Sequence, residues 1–189
     1  MDLTIRPATL EDVPFMAPLF NVATDGLLLY FWMTMTKPGE DPWEVGRREI
    51  GSGDTGWSWR NAWIAELSGR PAGVLNVHPM PPAPDPAARA ALPAMVRPLV
   101  ELEAEAAETT YVGALSVLED ERGRGVGSAL LSHAERGRSQ KGMSLFVLDH
   151  NLAARRLYER NGYAETARRR TVRNGWQSEA TDCLLMQKA

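Results

Sequence analysis

Residues 114–131, Ala-Leu-Ser-Val-Leu-Glu-Asp-Glu-Arg-Gly-Arg-Gly-Val-Gly-Ser-Ala-Leu-Leu, constrain the fold more than any other stretch of the chain. As far as Leu118 the side chains are mostly apolar or small, the composition of a buried strand. From Gly125 the apolar positions fall at helical spacing. Between the two lies Arg122-Gly-Arg-Gly-Val-Gly-Ser128. Glycine lets a backbone approach a ligand closely, and the first turn of a helix offers unpaired N–H groups at the positive end of its dipole. The stretch therefore predicts a strand, a phosphate-binding turn and a helix, in that order.

Spacing excludes two common phosphate loops. A dinucleotide fingerprint needs G-x-G-x-x-G, and Ser128 stands where its third glycine belongs. A P-loop needs Lys-Ser or Lys-Thr after the glycines, and neither pair follows. The stretch instead resembles motif A of the GNAT superfamily of acyl-CoA-dependent N-acyltransferases, Arg/Gln-x-x-Gly-x-Gly/Ala, through Arg122, Gly125 and Gly127. A second segment, Asn151-Leu-Ala-Ala-Arg-Arg-Leu-Tyr-Glu-Arg-Asn-Gly-Tyr163, resembles the same superfamily's Asn-x-x-Ala-x-x-Leu-Tyr-Glu-x-x-Gly-Phe, with Tyr163 in place of the usual phenylalanine. Read by itself, this segment is a helix with Asn151 as N-cap and Gly162 closing it, and the seven residues from Asn151 to Tyr158 put both on one face.

The rest of the chain fits one domain over residues 1–189, an α/β protein of the mixed α+β kind with a central mixed sheet flanked by helices. An opening strand leads to a helix that Thr9, Glu11 and Asp12 start and Val13, Met16, Ala17 and Phe20 continue. Residues 26–33 form the most apolar run, far shorter than the ~20 residues of a membrane span, so a packed helix is expected. Residues 61–67 and 71–78 read as a β-hairpin. Residues 79–109 read as an insertion, proline-rich and then alanine- and glutamate-rich. They predict a broken, solvated helix with Glu101, Glu103, Glu105 and Glu108 on an acidic face, with a substrate lid as the other reading. A strand over 143–148 completes a parallel crossover, and two strands around Asn174-Gly175-Trp176 finish the chain.

A formal net charge of −3 gives no global basic field for nucleic acid. The single cysteine, Cys183, permits no internal disulfide and reads as core, and the start of the chain lacks the pattern of a signal peptide, so a reducing, cytoplasmic setting is expected. No metal-ligand spacing rises above chance. Trp43, Trp57, Trp59 and Trp63 crowd one region and are expected to fill core or, together with Trp176, to cover a homodimer surface. A sharper reading makes Tyr30, Trp32, Trp57 or Trp59 part of an acceptor pocket.

The resemblance implies acetyl-CoA as cosubstrate and transfer of its acetyl group to a primary amine, on a small molecule or a peptide, by direct attack on the thioester. It places backbone groups of Leu115, Ser116 and Val117 on the pantetheine arm and the thioester carbonyl. Arg122, Gly123, Arg124, Gly125, Val126, Gly127 and Ser128 go on the phosphates, Asn151 beside the cofactor, and Tyr158 as general acid toward the sulfur. An amine of pKa about 10.4 must also lose a proton. Where some relatives carry a glutamate for this task, the chain has Thr109, Thr110 and Tyr111. Glu108, His78, Glu66 or water are the open choices, while His133 is expected to be structural. Two further readings stand: a catalytically silent acyl-CoA sensor, and a nucleotide-binding or interaction module.

Overall fold

In the computed structural model, which describes residues 2–82 and 85–189 and Arg89 by its backbone alone, the strand and helix patterns of the sequence become alternating elements. The strands are β1 (Leu3–Pro7), β2 (Ala62–Leu67), β3 (Arg70–Pro79), β4 (Thr110–Val117), β5 (Met143–Leu148), β6 (Ala164–Arg170) and β7 (Asp182–Lys188). The helices are α1 (Val13–Ala23), α2 (Leu27–Met35), α3 (Pro42–Ser52), α4 (Pro86–Ala90), α5 (Arg97–Glu105), α6 (Val126–Ala134) and α7 (Leu152–Arg160). The seven strands form one mixed sheet in the order β1-β2-β3-β4-β5-β7-β6. β2 and β3 are the expected antiparallel hairpin. β4 and β5 run parallel, with Thr110 opposite Met143 and Val112 opposite Leu145, as a strand–helix–strand crossover requires.

The chain divides into two compact units, Met1–His78 with Gly113–Arg136 and Pro79–Val112 with Gly137–Ala189. In the first, Met16, Ala17 and Phe20 of α1 pack with Val45 and Ile50 of α3, Ile64 of β2, Val74 of β3 and Ala114 of β4. The entry to α1 is fixed by charge. The Thr9 N–H and hydroxyl both donate to Asp12 Oδ2, at 2.7 and 3.0 Å. The Arg6 guanidinium donates to both Asp12 oxygens at 2.8 Å and to Glu66 Oε1 at 2.7 Å. Trp32 is buried, and Trp43, Trp57 and Trp59 pack half-buried against the same core. Among the described residues no single helix is long and apolar enough to cross a membrane.

In the second unit Leu102 of α5, with Ala106 and Met80, packs on Tyr111 of β4 and on Cys183 and Leu185 of β7. The expected single broken helix is two helices, because Pro93 lies in the break while Pro98 sits in the first turn of α5, where its missing N–H costs nothing. The insertion reading also covers residues 83 and 84, which lie outside the described residues. The expected acidic face is a correction. Side chains two apart on a helix point about 200° from each other, so Glu101 and Glu105 meet Arg169 of β6 while Glu103 turns toward the core side. Glu108 lies past the helix end, exposed at φ 66. Trp176 is buried at 6% exposure and offers no dimer surface.

Candidate active site

The first unit carries the glycine-rich turn. β4 delivers Leu115, Ser116 and Val117 to its end, with Ser116 buried and the other two half-buried. Arg122 folds back on that end and donates through Nε to the Val117 carbonyl at 3.3 Å. Gly125 is the N-cap of α6 in the left-handed region, φ 82, which residues with a Cβ adopt at a cost. A Cβ built on it would meet nothing within 4 Å, so the backbone of the turn is open above it. The first helical bond runs from Ala129 N–H to the Gly125 carbonyl at 3.0 Å. The N–H groups of Val126, Gly127 and Ser128 therefore lie ahead of the helical ladder, at the positive end of the dipole. Val126 is buried and anchors the turn, and Arg124 pairs with Glu121 at 2.7 Å. The arrangement fits an anion held by backbone donors, with Arg122 and Gly123 exposed beside it. Further along α6, His133 lies against Trp63 with ring centroids 5.4 Å apart, and burial holds its pKa down, which suits packing.

The second unit carries Asn151 and Tyr158. Asn151 Oδ1 accepts from Ala154 N–H at 3.1 Å and caps α7 as expected. The other end closes with Gly162 N–H donating to the Glu159 carbonyl at 3.0 Å and Tyr163 N–H to the Tyr158 carbonyl at 3.1 Å. Gly162, at φ 86, allows this closure. The same closure brings the Tyr163 and Tyr158 rings to 6.1 Å. Tyr158 is thus fixed by its own helix end. It is buried, and burial pushes its phenol up to about 12, so the hydroxyl stays protonated at neutral pH and has a proton to give.

Around Tyr158 stands a group that pattern reading missed. Tyr111 is buried, its ring edge-on to Phe146 at 5.3 Å, and its phenol is raised well above the usual value, chiefly by burial, with Cys183, Glu103 and Tyr158 nearby adding to the shift. Burial also raises Glu103, and it pushes the Cys183 thiol up to about 12, so Cys183 is a core thiol and no nucleophile. The signal was available: Leu99, Leu102 and Ala106 form an apolar stripe at helical spacing, and Glu103 borders it.

Of the expected bases, Glu66 is a correction, because its carboxylate is engaged by Arg6. His78 lies 6.5 Å from the Trp57 ring, and Glu108 is exposed. Among the described residues no group of three or more His, Cys, Asp or Glu side chains is placed to hold a metal ion.

The family model for acetyltransferase (GNAT) matches residues 29–163, across both the glycine-rich turn and the Asn151 segment. No curated protein sequence matches the chain. Among solved structures, an N-acetyltransferase from Staphylococcus aureus Mu50 superposes with a TM-score of 0.67 at 16% identity, over 97% of this chain and 99% of that one. The ribosomal-protein-S18-alanine N-acetyltransferase from Escherichia coli gives 0.58 at 18% identity, over 99% and 93%. Arabidopsis thaliana Naa50, in complex with the bisubstrate analogue CoA-Ac-MVNAL, gives 0.59 at 16% identity, over 100% and 99%. At such identities the structures show the fold, while the family model spans most of the sequence: the chain belongs to the acetyltransferase (GNAT) family.

Proposed function

We propose that this acetyltransferase moves the acetyl group of acetyl-CoA onto a primary amine by direct attack of the amine on the thioester. The observation that carries the reading is Tyr158, a buried, protonated phenol held by the closure of α7, inside the segment shared with the family. In the proposal Val126, Gly127 and Ser128 bind phosphate oxygens through backbone N–H groups, with Arg122, Gly123, Arg124 and Gly125 completing the turn. Leu115, Ser116 and Val117 supply backbone partners to the pantetheine arm. A fixed backbone donor on the thioester oxygen supplies on the order of 3 kcal/mol of stabilisation as charge develops there. Tyr158 gives its proton to the departing sulfur, and Asn151 keeps α7 in register. The family match, which spans both the glycine-rich turn and the Tyr158 segment, favours transfer over a silent acyl-CoA sensor.

A peptide amine is the acceptor class to test first, because Naa50 binds an analogue joining CoA to Ac-MVNAL and the S18 enzyme acts on a protein alanine. Calorimetric titration with acetyl-CoA, followed by free-thiol release over a panel of peptides and small amines, tests the proposal. Saturable binding with acceptor-dependent thiol release is expected. Absence of acetyl-CoA binding would overturn the assignment of the turn.

A further inference from the structure

We infer that Glu103, on a helix outside both shared segments, is the general base that takes the proton from the acceptor's ammonium group. The inference rests on the acetyl-transfer reading above. α5 turns about 100° per residue. Leu102, Ala106 and the partly buried Leu99 therefore form one stripe, which packs on Tyr111, Cys183 and Leu185. Glu103 flanks one border of that stripe. Glu101 and Glu105 stand beyond the other, and both accept hydrogen bonds from Arg169.

The three carboxylates of one helix are thereby sorted. Two share the single guanidinium of Arg169, and Glu103 is half-buried with no ion-pair partner among the described residues. Tyr111 lies between base and acid: the stripe of α5 packs on its buried ring, and Glu103 and Tyr158 both stand near enough to disfavour its ionisation. Cys183, with Asp149 acting on its thiol in turn, also faces this cluster, and Cys183 keeps its proton. Burial raises the Glu103 carboxylate above its ordinary range, which makes it a stronger base than a free glutamate. β4, where the sequence offers no carboxylate, then needs none, because α5 brings one to Tyr111.

The proton balance closes. The ammonium proton passes to a Glu103 carboxylate oxygen. The N–C bond forms as the C–S bond breaks, and the sulfur takes the Tyr158 proton. The second nitrogen proton restores the phenol, and Glu103 then releases its proton to water, one proton per turnover.

The test is Glu103→Gln in the full chain, read as kcat/KM for the acceptor from pH 6 to 10, beside acetyl-CoA affinity and melting temperature. Expected are a loss on the order of 100-fold at pH 7, acetyl-CoA affinity unchanged within about twofold, and no lower melting temperature, since a neutral isostere replaces a desolvated carboxylate. The wild-type profile levels off at neutral pH. That of the variant climbs about tenfold per pH unit toward the amine's own pKa, because only free amine then reacts. Glu103→Asp restores part of the rate, and Glu105→Gln retains it. A Glu103→Gln variant with wild-type kcat/KM and a wild-type plateau, alongside an impaired Tyr158→Phe, would overturn the inference and leave the transferase intact. Absence of acceptor-dependent thiol release from the wild type would overturn the transferase reading and this inference with it.

Discussion

At the scale of single residues, the site depends on what burial does to a proton and what a glycine does to a backbone. The surroundings of Tyr158 disfavour the phenolate and raise its pKa to about 12, so its hydroxyl stays protonated over a wider pH range than a free phenol. Tyr158→Phe should therefore lower kcat by on the order of 100-fold while leaving acetyl-CoA affinity unchanged. Steady-state rates at saturating acceptor check this, and an undiminished kcat would remove the acid role. In the wild type, any loss of rate through ionisation of Tyr158 should begin only above about pH 11, which a pH profile reads directly. Gly125 poses a different constraint. Its φ of 82 suits glycine, and the space over it is open. Gly125→Val should strain the start of α6 by roughly 1–2 kcal/mol and cover the donors of the turn. Calorimetry should then find acetyl-CoA binding lost in a variant that still melts cooperatively.

At the scale of elements, α5 shows how apolar and ionic contacts differ in weight. Leu102 is fully buried against Tyr111 and Leu185, so Leu102→Ala should cost about 3 kcal/mol in chemical unfolding. Arg169 is about one-third exposed and its two glutamates somewhat more. Water screens that pair, and Arg169→Ala should cost under about 1 kcal/mol. The order of the two costs is the check, and a reversal would mean that the ion pairs hold α5 in place.

The same helix marks the boundary of what was legible in the sequence. The turn before α6 and the caps of α7 were legible because they answer to local backbone demands: a glycine at positive φ, an asparagine accepting from the first turn, a glycine closing the last. The hairpin of β2 and β3 was legible for the same reason. Which acids of α5 would find Arg169, that Trp176 would be buried, and that Glu66 would be engaged by Arg6 depend on partners distant in sequence, and spacing carries no record of them. The Glu103 cluster lies between these cases, since its helix face was readable and its strand partner was not.

At the scale of the whole molecule, two carboxylates with opposite shifts shape stability in acid. Asp12 is buried beneath Arg6, whose hydrogen bonds lower its pKa from 3.8 to about 2. A carboxylate whose pKa falls on folding contributes stability above its unfolded value, and that stability is lost as pH drops through the folded one. A shift of this size corresponds to about 2 kcal/mol, reduced to on the order of 1 because Arg6 is 36% exposed and partly screened. Glu103 works the other way: burial raises its pKa, so folding favours its protonated form, and its contribution is greatest below the unfolded value and lost as pH rises. Acidification from pH 5 to pH 2 should therefore weaken the fold through Asp12 while Glu103 offsets part of the loss. Asp12→Asn should lower the melting temperature at pH 7 and flatten its dependence on pH between 4 and 2, because the titrating partner of Arg6 is gone. Glu103→Gln should steepen the acid decline by removing the compensating group. Melting curves of the wild type and both variants at half-unit pH steps decide the matter, and parallel curves for all three would show that neither carboxylate governs stability in acid.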